Sequence, residues 1–158
     1  MNTTVKTALA IGALCVGWTF VMGVTGWYKH PTMLNLFWVV AVIEIACLIW
    51  GLRRTATTLG YWPQVGAGTA ASALAGVIVF LGSLVFTTVA FPQYFEEIRA
   101  VQAELLRARG MSDADIAATQ QIGASLQTPF WQALLGLIGT TVTGFLTSLV
   151  VAAFYRKR

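Results

Sequence analysis

The chain has 158 residues, of which 57% are hydrophobic and 10% charged, whereas an average soluble domain carries about 25% charged residues. A soluble fold of this size leaves about a third of its chain's potential surface exposed, so this composition excludes an ordinary water-soluble domain and calls for hydrocarbon around the apolar excess. The net charge of +4 does not point to nucleic acid, because the basic residues flank apolar runs instead of clustering among exposed aromatics.

A bilayer core of about 30 Å takes about 20 helical residues. Four runs fit that length with no Lys, Arg or Asp in their interiors: about Val5 to Trp27, Asn35 to Leu52, Val65 to Phe91 and Phe130 to Tyr155. All four are continuously apolar, so they predict helices and not the alternating strands, about ten residues each, of a membrane barrel. The first run follows Lys6, as a targeting segment would, but it continues past Cys15 to Trp27 without an A-x-A site, and Leu14 is too bulky for lipoprotein processing. It is expected to be a retained helix. Cys15 and Cys47 lie inside apolar runs without CxxC spacing and read as buried small side chains.

Between the first two runs stands the sole histidine, His30. One histidine excludes a bis-histidine haem within the chain and argues against zinc, so no metal or other cofactor is expected. The second run holds Glu44 at its midpoint, the one ionisable residue well inside a span. A carboxylate there costs several kcal/mol, by a disputed amount, so it requires a partner, water or a proton. Hydroxyls are the available neighbours: Thr19, Ser83, Thr87, Thr140, Thr143 or Thr147. Glu44 reads either as a proton or cation relay, or as a protonated acid hydrogen-bonded between helices.

The third run carries Gly68, Ser72 and Gly76 at spacings of four, and the fourth carries Gly136, Thr140, Gly144, Ser148 and Ala152 in the same register. Such small-residue stripes let membrane helices approach closely, either within one chain or between copies. The first run has Gly12, Gly23 and Gly26 more loosely arranged.

Residues 92 to 129 form the one sizeable polar segment, too long for an unstructured connection. Tyr94, Ile98, Val101 and Leu105 share a helical face after Pro92, while Glu96, Glu97, Arg99, Glu104 and Arg107 fall largely elsewhere. Early acids, late arginines and Gly110 suit a helix that stops there. A second helix is expected to start at Ser112, with Asp115 completing a short capping box, and to end near Thr128 and Pro129, with Ile116, Ile122 and Leu126 as a weaker stripe. The pair predicts a hairpin that covers the outer mouth of the bundle, lies on the membrane surface, or serves as a docking surface or lid.

Orientation follows from the basic residues. Lys6, Arg53, Arg54, Arg156, Lys157 and Arg158 fall on one side with no acid among them, and Lys29, Arg99, Arg107 and Arg109 fall on the other with five acids. The N-terminus, the loop 53–64 and the C-terminus are therefore expected in the cytoplasm. Trp27, Tyr28, Trp38, Tyr94 and Trp131 would mark the outer interface, and Trp50, Tyr61, Trp62 and Tyr155 the inner one. There is no P-loop, GxSxG or HExxH, and the in-span hydroxyls have no adjacent base, so no enzymatic activity is expected.

Gly51, Leu52 and Arg53 close the second span, and Gly60 with Tyr61 to Gly66 leads into the third. Phe91 and Pro92 precede Glu96 and Glu97, the segment GMSDADI runs from Gly110 to Ile116, and Pro129 opens the fourth span, which ends in Gly144, Ser148, Leu149, Ala152 and the basic tail. In order and spacing this resembles the family of small bacterial membrane proteins known as domain of unknown function 4199, over nearly the whole chain. The resemblance implies four spans in a bacterial inner membrane and no assigned activity. Where that family often carries an acid just after the basic end of the second span, this chain has Arg54 and Thr55.

The sequence thus describes an all-α integral membrane protein, a single unit of four transmembrane helices with an extracytoplasmic helical hairpin between the third and fourth. A non-enzymatic accessory, scaffold or self-associating subunit is the leading expectation, with the bilayer and a homo-oligomer or larger membrane complex as partners. A small proton- or ion-coupled transporter or channel using Glu44 is the competing one. A cavity that reaches Glu44 would favour transport, and a carboxyl sealed against one hydroxyl would favour structure.

Overall fold

The computed structural model describes residues 2–155, so the tail residues Arg156, Lys157 and Arg158 lie outside the described residues. Six α-helices follow in order: α1 (Thr3–Thr25), α2 (Val39–Thr55), α3 (Tyr61–Val85), α4 (Tyr94–Ala108), α5 (Asp113–Ala124) and α6 (Pro129–Tyr155). Among the described residues there is no strand. Four helical stretches are long and apolar enough to cross a membrane: Thr3–Thr25, Leu34–Thr55, Tyr61–Ala90 and Pro129–Tyr155.

Local chemistry sets the ends. Asn2 caps α1 by accepting the Thr4 amide, and Gly26 closes it in the left-handed region at φ 69°, where a side chain would be strained. α1 therefore stops two residues before the expected Trp27. The second stretch opens as a 3-10 turn over Leu34–Trp38, tied down by the Trp18 indole, which donates to the Leu36 carbonyl at 2.9 Å. α3 starts four residues earlier than expected, at Tyr61. Its Pro63 sits in the first turn, where a missing amide is harmless. At its other end the helix widens into a π turn, Phe86–Ala90, with the Phe91 amide bonded to the Phe86 carbonyl five residues back at 2.8 Å.

The four long helices form a ring in the order α1, α2, α6, α3, with the most extensive contact between α3 and α6. That contact is built on small side chains. A Cβ placed on Gly144 would collide with Ser72, one on Gly68 would collide with Ser148, and one on Gly76 would stand 3.1 Å from the Leu137 carbonyl oxygen. Ser72, Ser148 and Ala152 are fully buried. A Cβ on Gly136 would stand 3.3 Å from Val79 and 3.9 Å from Ser83, and Phe80 meets Phe130 edge to face farther along, so the contact runs the length of the pair. The stripes on α3 and α6 thus face each other within one chain. Outward-facing positions remain large and apolar, as with Val89 (74% exposed) and Phe154 (82%), which is the surface that hydrocarbon can cover.

The core divides in two. Ala8, Ile11, Cys15, Leu48, Ala71 and Ala75 pack between α1, α2 and α3. At the end that carries α4 and α5, Met22, Tyr28, Phe86, Tyr94 and Ile98 form an aromatic-rich cluster. Tyr28 and Tyr94 were expected as interface anchors. They turn inward instead, 1% and 7% exposed, because their rings stack on each other and on Phe86 and Phe91.

α4 buries Tyr94, Ile98, Val101 and Ala103. It ends where Gly110, at φ 84°, lets the Met111 amide reach the Leu106 carbonyl and the Gly110 amide reach that of Arg107, a paired closure typical of helix ends. Ser112 caps α5 by accepting the Asp115 amide at 3.2 Å while its hydroxyl donates to the Asp115 carboxylate at 2.6 Å. α5 ends at Ala124, short of the expected Thr128. Its anticipated stripe is also incomplete: Ile116 is buried, but Ile122 and Leu126 are exposed. The stretch after Gly123 folds back in tight turns, with the Leu126 and Gln127 amides bonded to the Gly123 carbonyl.

Candidate functional site

In the half of the ring nearer α4, a cleft of about 710 Å³ lies between α2 and α6. Phe37, Trp38, Val40, Ala41 and Glu44 form one wall, from α2 and the turn before it. α6 supplies the facing wall from Gln132 to Thr143, through Gly136, Gly139 and Thr140. Cys15 and Thr19 of α1 and Val79, Ser83, Phe86 and Thr87 from the third stretch make the back, and Tyr94 at the start of α4 borders the mouth. At 1.5 Å per residue the α6 wall from Gln132 to Thr143 is about 16 Å long, roughly half a bilayer core.

Glu44 lies at the floor. It is 4% exposed, and its Oε1, like the hydroxyls of Ser72 and Ser148, has no hydrogen-bond partner. The carboxylate stands beside the Gly144–Ser72 contact, since the same Cβ position on Gly144 that meets Ser72 is 3.1 Å from Glu44 Oε1. A tight helix crossing therefore forms the floor, and its missing side chains leave room for the carboxyl. Of the hydroxyls proposed from sequence, Thr19, Ser83, Thr87, Thr140 and Thr143 line the same cleft as Glu44. Thr147 lines a separate groove with Ile45, Ile49 and Phe154. Ser72, the hydroxyl beside the carboxylate, was missed as a neighbour because it belonged to the packing stripe. Its depth opposite Glu44 was the available signal.

The mouth is pinned by a polar contact 68 residues apart in sequence. Lys29 Nζ donates to Glu97 Oε1 at 2.7 Å, and the Tyr28 hydroxyl donates to the other carboxylate oxygen. These donors, Lys29 first, hold the Glu97 carboxyl below the usual carboxylate range. Burial, then the bond to Glu97, pushes the Tyr28 phenol up, and burial pushes Tyr94 up to about 12. The other polar residues singled out on this segment do separate things. Glu96 and Glu104 are exposed, the Arg99 carbonyl accepts from Gln120 of α5 at 2.8 Å, and Arg107 pairs with Asp113 at 2.8 Å across the α4–α5 turn.

A family model described as "Protein of unknown function (DUF4199)" matches residues 6–157. The chain belongs to that family. The match takes in all four long helices and the α4–α5 segment, so the cleft and its mouth lie wholly within the family region. No curated protein and no solved structure matches the chain. Among the described residues no three His, Cys, Asp or Glu side chains are grouped so as to hold a metal ion.

Proposed function

We propose that this DUF4199 protein is a four-span protein of the bacterial inner membrane that works without catalysis, as a small proton- or ion-coupled transporter or carrier that receives a solute in the cleft above Glu44. The observation that carries this reading is the Glu44 carboxyl at the floor of a large cleft. A carboxyl that served only to tie two helices would not border an open space of that size. The uneven distribution of Lys and Arg supports cytoplasmic termini and a cytoplasmic 53–64 loop. In that orientation the cleft opens outward, and α4 and α5 form an extracytoplasmic hairpin beside its mouth. The test is proton or ion flux in reconstituted vesicles. Wild type and Glu44→Gln should differ, and equal flux would remove Glu44 from the mechanism.

A second reading, an accessory or self-associating subunit, has its own observation. On the other half of the α2–α6 seam an apolar groove of about 700 Å³ runs between Ile45, Ile49, Leu146, Val150 and Phe154, and a helix of another copy or of a larger membrane complex fits its chemistry. The glycine stripe lends this reading less than it did from sequence, since Gly144, Ser148 and Ala152 are buried within the chain. A particle purified in mild detergent with the mass of one chain would remove it.

A further inference from the structure

We propose that the cleft takes an amphipathic organic cation, an ammonium group carried on an apolar body, with Glu44 as its counter-charge; this rests on the reading of the cleft as a solute site. The argument is a count of what the walls offer. Thr19 donates its hydroxyl proton to the Cys15 carbonyl and Thr87 donates to that of Ser83, so both present oxygen lone pairs. Glu44 adds a carboxyl that borders the cleft, with its Oε1 tucked against Ser72 and Gly144. Among the described residues no Lys, Arg or His lines the cleft. An anion therefore finds no positive partner there, while Ser83, Thr140, Thr143 and Gln132 offer neutral polar groups that can donate or accept.

A cation finds the Glu44 carboxyl as an opposite charge among largely apolar walls, where pairing is stronger than in water, and an aromatic rim. Phe37, Trp38, Phe86 and Tyr94 border the same space, and aromatic faces attract ammonium groups. A bare divalent metal is disfavoured because it would take several oxygen ligands, and among the described residues Glu44 is the one carboxylate in the cleft. Val40, Val79 and Leu135 supply apolar wall for the rest of the ligand. The remaining ionisable groups that face the site, Cys15 from α1 and Tyr94 from α4, are neutral in their ordinary state, so they do not compete as counter-charges.

The test uses the full chain in lipid nanodiscs, titrated calorimetrically with octylammonium and with octanol, which share an alkyl chain and differ in the charge of the head, against empty nanodiscs. Octylammonium should bind saturably and at least tenfold more tightly than octanol. Glu44→Gln should abolish that preference while octanol binding persists, which also shows that the variant is folded. Gly139→Phe is the second variant. A side chain on Gly139 meets nothing within 4 Å and grows into the cleft, so it should block both ligands without disturbing a packed contact. Equal saturable binding of the two molecules to wild type, or a preference that survives Glu44→Gln, overturns the cation class and leaves the cleft a solute site. Absence of saturable binding by either overturns the proposal outright, while the flux comparison still decides whether Glu44 handles protons alone.

Discussion

Adding one methyl group at Gly144 perturbs the contact on which both the bundle and the floor of the cleft depend. The new Cβ would occupy the position of the Ser72 side chain and approach Glu44 Oε1 to 3.1 Å, and Ser72, fully buried, has no room to turn. One turn away on each helix, Gly68 and Ser148 make the same kind of contact, which prevents α3 and α6 from sliding past each other to relieve the clash. Overpacking of a close-packed contact costs about 1–3 kcal/mol, and Gly144→Ala should lose an amount in that range. Ser72→Gly removes the obstacle, and by itself should cost about 1 kcal/mol or less in helix propensity. The double variant should recover most of the loss, so the two changes couple with a sign opposite to the penalty. Reversible unfolding in mixed micelles, followed by circular dichroism, measures all three. A Gly144→Ala protein within about 0.5 kcal/mol of wild type, or one that Ser72→Gly fails to rescue, would refute the contact as described.

Gln64 is 1% exposed and donates to the Leu52 carbonyl at 2.8 Å, satisfying an acceptor in the last turns of α2. The Leu52 carbonyl also accepts from the Thr55 hydroxyl at 3.1 Å, so Gln64→Leu should destabilise by about 0.5–1.5 kcal/mol, the net worth of one hydrogen bond, and the same unfolding assay reads it. Glu97 is held below its usual value, so the attachment of α4 to the first connection is fully present above the unfolded carboxylate pKa and is lost as pH falls through the lowered folded value. Spin labels at Met33 and Glu104 should move apart in strong acid, and in Glu97→Gln at neutral pH; a separation insensitive to both would sink the latch. In intact cells, a cysteine at Glu104 should react with a membrane-impermeant maleimide while one at Thr57 should not, and the reverse pattern would invert the orientation.

The four long helices were legible because hydrocarbon leaves a continuous mark on composition, and their ends were off by two to four residues where a local signal outweighed the apolar run, as with Gly26 and Pro63. The face of α4 was legible for a similar reason, since Tyr94, Ile98 and Val101 recur at helical spacing. The pairing of Tyr28 and Lys29 with Glu97 was not, because no local pattern joins residues 68 and 69 apart. Glu44 stood out by its charge alone. That it floors a cleft depends on how α2 and α6 are set relative to each other, which no local spacing encodes.

The π turn at Phe86–Ala90 has a consequence for how this fold can vary. Such a turn accommodates one more residue than an α turn spanning the same rise, so the end of the third helix behaves as a one-residue insertion that the bundle absorbs without a loop. Deleting a residue there would restore regular winding within the same rise, so the residues that follow would keep nearly their present direction. Tyr94 and Glu97 would hold their places, whereas a deletion within the regular part of α3 would turn the end of that helix by about 100°, one residue's share of a 3.6-residue turn. The π turn is thus the point at which the chain can lose a residue with least effect on the aperture of the cleft.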